Sequence, residues 1–319
     1  MNKVVHSTLL TVALAIAAYG LLAVFSGGGE VLGAINSLPL QVWAAILGLS
    51  LFNYLLRYLR WHLYITHNHP LAIGHGHHLA IYVAGFSLTM TPGKAGEAMR
   101  SLYLKPYGVS HQRSIGALFV ERILDLVAVL ALAGLGVVFL DGNEARVAAV
   151  VTLLLIGGCL LVVKMPRERV LQSRWVQRLP EKLHRLVLCV ESMLANANEF
   201  LSLRLLLIGL GIGLAAWFCE AYGLFLVMEE FRPGQSEMTL GLAIYGMAIL
   251  IGAISFLPGG LGGSEATMIL LLVQAGFGSA EAVAITMICR IATLWFAVAI
   301  GMTVLFFMTI LRLAPAGEP

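Results

Sequence analysis

Apolar runs of about 20 residues recur along almost the whole of this 319-residue chain. A helix of that length, rising about 1.5 Å per residue, spans the roughly 30 Å hydrocarbon core of a bilayer. Hydrophobic residues make up 59% of the sequence and charged residues only 12%, so no long polar block remains for a soluble domain. The pattern predicts one all-α polytopic membrane domain covering residues 1–319.

The apolar runs and the Lys and Arg residues between them predict about six transmembrane helices. Short cytoplasmic loops carry an excess of basic residues, which orients the helices. On this basis we expect both termini in the cytoplasm and the loop at 26–39, which has no Lys or Arg, outside. Arg57 and Arg60 are interpreted as a cytoplasmic helix end. The helices are expected at about 7–25, 41–62, 113–140, 146–163, 202–228 and 280–311.

Two further apolar segments are too short to cross the bilayer. The run before TPG and the run after GGSE each contain about 13 apolar residues, which reach only about 20 Å. Pro and Gly beside each run permit a sharp turn. We therefore expect two re-entrant helical hairpins, at 79–107 and 238–276. Their turn residues are expected to be Pro92, Gly93 and Gly96, and Pro258, Gly259, Gly260, Gly262 and Gly263.

The two halves of the sequence repeat one order of charged residues. Glu97 precedes Arg122 by 25 residues, and Glu265 precedes Arg290 by the same number. Coincidence is the alternative to a true repeat. A true repeat would insert the same helix–hairpin–helix order in opposite directions, which is the inverted-repeat plan of secondary transporters. The repeats are expected at about 41–140 and 202–311.

Ionisable residues at membrane depth cost about 2.5–3.5 kcal/mol each on insertion scales, so these residues should face a cavity or each other. Guanidinium groups bind phosphate through paired donors, which suits a lipid headgroup. Alternatively, the Glu–Arg pairs only hold the helices together. The predicted substrate-binding residues are Glu97, Arg100, Arg122, Glu265 and Arg290, supported by the polar residues Asn53, Asp125 and Glu220.

Four segments of the chain resemble a known family: TPGKAGEAMRSLYL, GALFVERILDLVAV, SFLPGGLGGSEATMILLL and CRIATLWFAV. The family is the lysylphosphatidylglycerol synthase transmembrane region, also called flippase-like or UPF0104 proteins. The resemblance implies a multi-pass protein of the bacterial inner membrane. It is similar to the module of multiple peptide resistance factors that moves aminoacylated phosphatidylglycerol between leaflets. The family motifs match Glu97 and Arg100, then Arg122 and Asp125, then Glu265 and Arg290.

Bifunctional proteins of that family carry a soluble aminoacyl transferase domain after the membrane part, and the residues up to Pro319 contain none. We therefore expect a lipid transporter and not an enzyme. The substrate would be an anionic phospholipid or polyprenyl-linked lipid. One alternative is a membrane enzyme acting on a polyprenyl phosphate, although the chain has no DxD pair. Another is a scaffold that holds lipid or glycan biosynthetic enzymes through the basic segment at about 164–200.

No cofactor, metal site or nucleic-acid partner is predicted. TPGKAG lacks the spacing of a nucleotide-binding phosphate loop. The segment from His62 to His78 contains six of the nine histidines but no acidic or cysteine co-ligand, which favours an interfacial loop over a metal site. The four cysteines follow no pairing pattern and are expected to be buried and reduced. The basic segment is expected to contact anionic headgroups or to form a solvated loop.

Overall fold

The computed structural model describes residues 28–90, 97–138, 197–255 and 257–311, together with Pro180, Glu181, Leu183, Arg185 and Leu188. Within these residues all regular structure is helical, which confirms the predicted all-α class. The predicted helices at about 7–25 and 146–163, most of the basic segment and both termini lie outside the described residues.

The α-helices are numbered here in chain order. They are α1 (Gly28–Ser37), α2 (Leu40–Thr66), α3 (His75–Ala84), α4 (Met99–Leu104), α5 (His111–Val138), α6 (Leu203–Phe231), α7 (Met238–Ile254), α8 (Gly263–Gln274), α9 (Ser279–Arg290) and α10 (Phe296–Ile310). Short 3-10 helices cover Gly85–Leu88, Lys105–Tyr107, Asn198–Phe200 and Pro258–Gly260. A π turn at Ile291–Trp295 joins α9 and α10 into one continuous helix.

Three of the described helices are long and apolar enough to cross a membrane: α2, α6 and the continuous helix Ser279–Ile310. Their ends lie close to the predicted bounds. The 28-residue α5 is of similar length, but its middle carries Glu121, Arg122 and Asp125. By contrast, α7 and α8 have 17 and 12 residues, or about 26 and 18 Å. The chain is therefore a multi-pass membrane protein that combines long apolar helices with short ones.

The short helices pack reciprocally against the long helices of the other half. α7 and α8 pack against each other, and α7 also lies along α5. In the other half, α3 and Gly85–Leu88 lie along α10. Between the halves, α2 lies against α6, and Asn53 donates from Nδ2 to the carbonyl oxygen of Ala216 at 2.7 Å. Helix α7 therefore contacts α5, the long helix that follows α3 and α4. Likewise α3 contacts α10, which belongs to the long helix that follows α7 and α8.

Alternate glycines of α6 let it approach α2 closely. A β carbon at Gly209 would overlap the hydroxyl of Tyr64, and one at Gly213 would lie 2.8 Å from Arg60 Nη1. Gly211, between them, has nothing within 4 Å of its β position. Gly209 and Gly213 therefore serve close packing of α6 on α2.

Two assignments made from loop composition are wrong. The segment 26–39, expected to be an outer loop, contains α1, which packs on α9 and buries Val31 completely. Helical glycine costs about 1 kcal/mol relative to alanine, but packing of the apolar face outweighs that preference. Arg57 and Arg60 do not mark an exposed helix end, because they are only 5% and 0% exposed.

The histidine-rich segment is not a loop throughout. His62 lies in α2 and His78 lies in α3, where it is completely buried. Trp61 Nε1 donates to His78 Nε2 at 3.1 Å, and His78 Nδ1 lies 3.0 Å from His62 Nδ1. These contacts join α2 to α3. In the part of the chain that the structure describes, no group of three or more His, Cys, Asp or Glu residues could hold a metal ion.

We expect Gly246→Ala to destabilise the protein. A β carbon at Gly246 would lie 2.8 Å from the β carbon of Ala133 and 2.9 Å from its backbone nitrogen, which would force α7 away from α5. Overpacking of this kind costs about 1–3 kcal/mol, so the melting temperature in detergent should fall. Gly211→Ala is the matched control and should retain or raise it, because alanine is the better helix former. An unchanged melting temperature for Gly246→Ala would contradict the close contact of α5 with α7.

Candidate functional site

A cavity of about 370 Å³ lies between α2, α5, α6, α7 and the continuous helix Ser279–Ile310. Its lining contains both charged and apolar side chains. The charged side chains are Arg57, Glu97, Arg122, Asp125, Glu220 and Arg290. The large aliphatic side chains are Leu126, Val129, Ile249, Leu250, Leu257 and Leu294. The structure therefore brings predicted site residues from both halves of the chain to one cavity.

Arg290 holds the turn between α7 and α8. Its Nε donates to Glu265 Oε1 at 2.7 Å, and its Nη2 donates to the carbonyl oxygen of Gly259 at 2.8 Å. Gly259, Gly260 and Gly262 have φ angles of 63°, 71° and 81°, which glycine adopts without strain. Pro258 belongs to the 3-10 helix of this turn, and Gly263 begins α8. The glycines form the turn, and the ion pair attaches it to α9.

The first half contains the equivalent ion pair. Glu97 Oε2 lies 3.6 Å from Arg122 Nη2, and it accepts a hydrogen bond from Arg100 Nη2 at 3.1 Å. Residues 25 apart therefore form an ion pair in both halves of the chain. The predicted turn residues Pro92, Gly93 and Gly96 lie outside the described residues.

Asp125 is the centre of the ionic cluster in the first half. Its Oδ1 accepts hydrogen bonds from Arg60 Nη2 at 2.6 Å and from Trp217 Nε1 at 3.1 Å. Its Oδ2 lies 3.2 Å from Arg122 Nη2 and 3.5 Å from Arg57 Nη2. One carboxylate thereby connects α2, α5 and α6. That Asp125 supports a substrate site stays a prediction.

Arg100 lies behind the cavity wall. Its guanidinium carbon is 3.9 Å from the centre of the Tyr82 ring, and its Nη1 is 3.7 Å from Glu121 Oε2. A β carbon at residue 85 would lie 2.7 Å from Arg100 Nε, so Gly85 leaves room for this side chain. Substrate contact by Arg100 stays a prediction. Its buried position favours a role in holding Glu97 and Glu121.

The second half contributes two further polar contacts near the cavity. Glu220 of α6 accepts a hydrogen bond from the Tyr245 hydroxyl of α7. The Tyr54 hydroxyl of α2 donates to the carbonyl oxygen of Thr293 at 2.6 Å. Thr293 lies in the π turn Ile291–Trp295, and such turns occur frequently at functional sites.

Sequence reasoning missed three buried members of this site: Arg57, Arg60 and Glu121. The sequence pattern assigns the two arginines to a helix end, and Glu121 is not among the predicted site residues. A usable signal was nevertheless present, because residues 53, 57 and 60 repeat at helical spacing on one face of an apolar helix. A polar stripe of that kind on a membrane helix faces the protein interior.

Comparison with known proteins identifies similar chains. A family model described as "Lysylphosphatidylglycerol synthase TM region" matches residues 10–301. Three proteins from Methanothermobacter thermautotrophicus, each named "UPF0104 membrane protein", are also similar. One is 26% identical over 93% of this chain and 94% of its own length. The second is 24% identical over 86% and 85%, and the third is 27% identical over 65% and 66%.

We expect the Glu265–Arg290 pair to stabilise the folded protein. Glu265→Gln or Arg290→Gln leaves one buried charge without its partner, which costs about 3–5 kcal/mol. The double variant removes both charges and should recover part of that loss. A double-mutant cycle on unfolding in mixed micelles should therefore give a coupling energy of about 0.5–3 kcal/mol.

The exposed pair Glu181–Arg185 provides the matched control for this cycle. Its side chains are 78% and 77% exposed. The same glutamine substitutions should give a coupling energy of about 0.5 kcal/mol or less, because solvent screens the pair. An equally small coupling for Glu265–Arg290 would show that the buried pair does not hold the turn.

Proposed function

The chain belongs to the lysylphosphatidylglycerol synthase TM region family, and from this membership we propose that it moves an anionic lipid between the two leaflets of a membrane. The lipid would be a phospholipid or a polyprenyl-linked lipid. The observation that carries the proposal is the cavity, whose lining contains both charged and apolar side chains. A lipid has the same two parts, a polar headgroup and apolar chains.

The size and position of the cavity support a headgroup site. Pockets of about 300–1,000 Å³ enclose small organic ligands, so about 370 Å³ suits a headgroup but not a whole lipid. Leu126 and Leu257 line the cavity and are 38% and 49% exposed. In our proposal the acyl or isoprenoid chains stay in the hydrocarbon beside these residues while the headgroup occupies the charged part.

The reciprocal packing of the two halves supports an alternating-access mechanism. We propose that α3–α4 and α7–α8 are re-entrant hairpins belonging to two inverted repeats, with the cavity between them. Secondary transporters built in this way place their site at the repeat interface and rock one repeat against the other. The equal spacing of Glu97–Arg122 and Glu265–Arg290 fits this plan.

The geometry favours different roles for Arg122 and Arg290, two of the predicted substrate-binding arginines. Arg290 uses Nε and Nη2 within the protein, so we assign it to positioning the second turn. Arg122 lines the cavity, and its side chain is 28% exposed, so we assign it to the headgroup. Glu97 and Glu265 then orient the arginines. Transport of this kind involves no covalent chemistry, and we place it in the cytoplasmic membrane of a bacterium with membrane lipids as partners.

Lipid movement can be measured in proteoliposomes that contain a fluorescent phospholipid. Dithionite bleaches only the outer leaflet, so translocation raises the bleached fraction above that of protein-free vesicles. We expect this increase with the wild type. Arg122→Gln should slow it about tenfold, because loss of one charge-assisted hydrogen bond of about 1.4 kcal/mol corresponds to that factor.

Arg232→Gln is the matched control, since Arg232 pairs with Glu281 at the C-terminal end of α6. It should retain the wild-type rate. Equal bleaching with wild type, Arg122→Gln and empty vesicles would refute transport. If biosynthetic enzymes then copurify equally with wild type and Arg122→Gln, the scaffold alternative is favoured instead.

A further inference from the structure

Three ring side chains form a line of hydrogen bonds between α2 and α3. Trp61 Nε1 donates to His78 Nε2 at 3.1 Å, and His78 Nδ1 lies 3.0 Å from His62 Nδ1. An indole N–H only donates hydrogen bonds, whereas a neutral imidazole has one donor and one acceptor nitrogen. His78 Nε2 must therefore be the acceptor nitrogen of its ring.

The direction of this line fixes the hydrogen on each imidazole. Because His78 accepts at Nε2, it carries its hydrogen on Nδ1 and donates that hydrogen to His62. His62 Nδ1 must then be unprotonated, which leaves the hydrogen of His62 on Nε2. Both rings are therefore neutral in this arrangement.

An added proton breaks the line wherever it binds. On His62 it would place an N–H at Nδ1, directly opposite the Nδ1–H of His78. On His78 it would place an N–H at Nε2, directly opposite the indole N–H of Trp61. His78 is completely buried and His62 is partly exposed, so solvent protons reach His62 first.

The neighbouring groups on α2 and α3 supply no negative charge to the two rings. The ring centre of the exposed His75 lies 4.9 Å from that of His62, so a proton on either ring opposes one on the other. Tyr58 lies edge-on to His78 with ring centres 5.5 Å apart, and its hydroxyl donates to the His75 carbonyl oxygen at 3.2 Å. These contacts favour the neutral form of the pair.

The other elements packed on α3 act in the same direction. The guanidinium group of Arg100, on α4, exerts a repulsive effect on a protonated His78. The carboxylates near it, Glu97 and Glu121, form their ion pairs with that guanidinium group. Helix α10 and the segment Gly85–Leu88 contain no ionisable side chain.

We infer that the His62–His78 contact is acid-sensitive: when His62 takes up one proton from solvent, the hydrogen bond from His78 is lost and α3 separates locally from α2. The proton forms an N–H bond at His62 Nδ1, and no other covalent bond changes. Helix α3 keeps its packing on α10, so the protein as a whole stays folded. The inference goes beyond the proposed function and holds whether or not the protein moves lipid.

Proton linkage gives the sign and the range of the effect. The closed contact excludes the proton, whereas an imidazole in water binds one with a pKa of about 6.5. The contact is therefore equally stable at all pH values well above 6.5 and weakens as the pH falls below that value. At about pH 5, His62 alone should raise the population of the open form by up to about 30-fold.

Hydrogen exchange of the α3 amides, followed by mass spectrometry, measures this opening in the full-length protein in detergent. The informative variant is His62→Asn, because Asn Oδ1 takes the place of the Nδ1 acceptor but binds no proton in this range. At about pH 7.5 it should protect α3 like the wild type. Between about pH 7.5 and pH 5, the rise in α3 exchange should be at least about tenfold smaller than in the wild type.

The matched control is His77→Gln. His77 precedes His78, but its Nε2 lies 3.4 Å from the hydroxyl of Tyr107, which both donates and accepts. Protonation of His77 is compatible with that contact, so His77→Gln should respond to pH like the wild type. An equal rise in exchange for wild type and His62→Asn would overturn the inference, and so would an equally large reduction by His77→Gln.

Nitrogen NMR of wild-type protein labelled with 15N-histidine tests the tautomers without any substitution. The His78 ring is identified by its contact with the indole proton of Trp61. At about pH 7.5 we expect hydrogen on Nδ1 of His78 and on Nε2 of His62. A His78 ring that carries its hydrogen on Nε2, or a His62 ring already protonated on both nitrogens, would overturn the inference.

Discussion

The desolvation of arginine in an apolar bundle is the constraint on which the rest of this structure depends. A guanidinium group removed from water needs a carboxylate and further acceptors close by. In the first half, Asp125 meets this need by accepting hydrogen bonds from Arg60 and Trp217 on one oxygen, while its other oxygen lies beside Arg57 and Arg122. Because these residues come from α2, α5 and α6, the electrostatic requirement also fixes how the helices are arranged around the cavity.

The two halves satisfy the same requirement in different ways. The second half uses one carboxylate and one backbone carbonyl, Glu265 and that of Gly259, for Arg290. Arg290 thereby secures a glycine turn. The first half connects Arg57, Arg60, Arg100 and Arg122 with Glu97, Glu121 and Asp125 in a network of buried ion pairs. Two segments with the same charge spacing are therefore stabilised by different contacts, one by a carboxylate and a backbone carbonyl and the other by a network of ion pairs.

The sequence predicts the strongly periodic parts of this fold and the paired charges, but not the features that depend on tertiary packing. Long apolar runs define α2 and α6 because the bilayer requires them, and the 25-residue spacing of Glu265 and Arg290 correctly predicts their proximity. A basic residue near the end of an apolar run, such as Arg57, is typical of a helix end that borders a loop. Its ion-pair partner Asp125 lies 68 positions away in the sequence, so the sequence alone does not show that Arg57 is buried. Helix α1 was missed because its glycines disfavour a helix, whereas packing of its apolar face on other helices, α9 among them, stabilises it.

The π turn Ile291–Trp295 changes the phase of the helix in which it lies. Each additional residue advances an α-helix by about 100°, so the face that α10 presents is rotated relative to the face of α9. Before the turn the helix packs on α1, α6 and α8, and after it the same backbone packs on α3 and Gly85–Leu88. One uninterrupted rod is thus matched to two sets of neighbours on different sides. An insertion or deletion within those five residues would misalign one set while leaving the other intact.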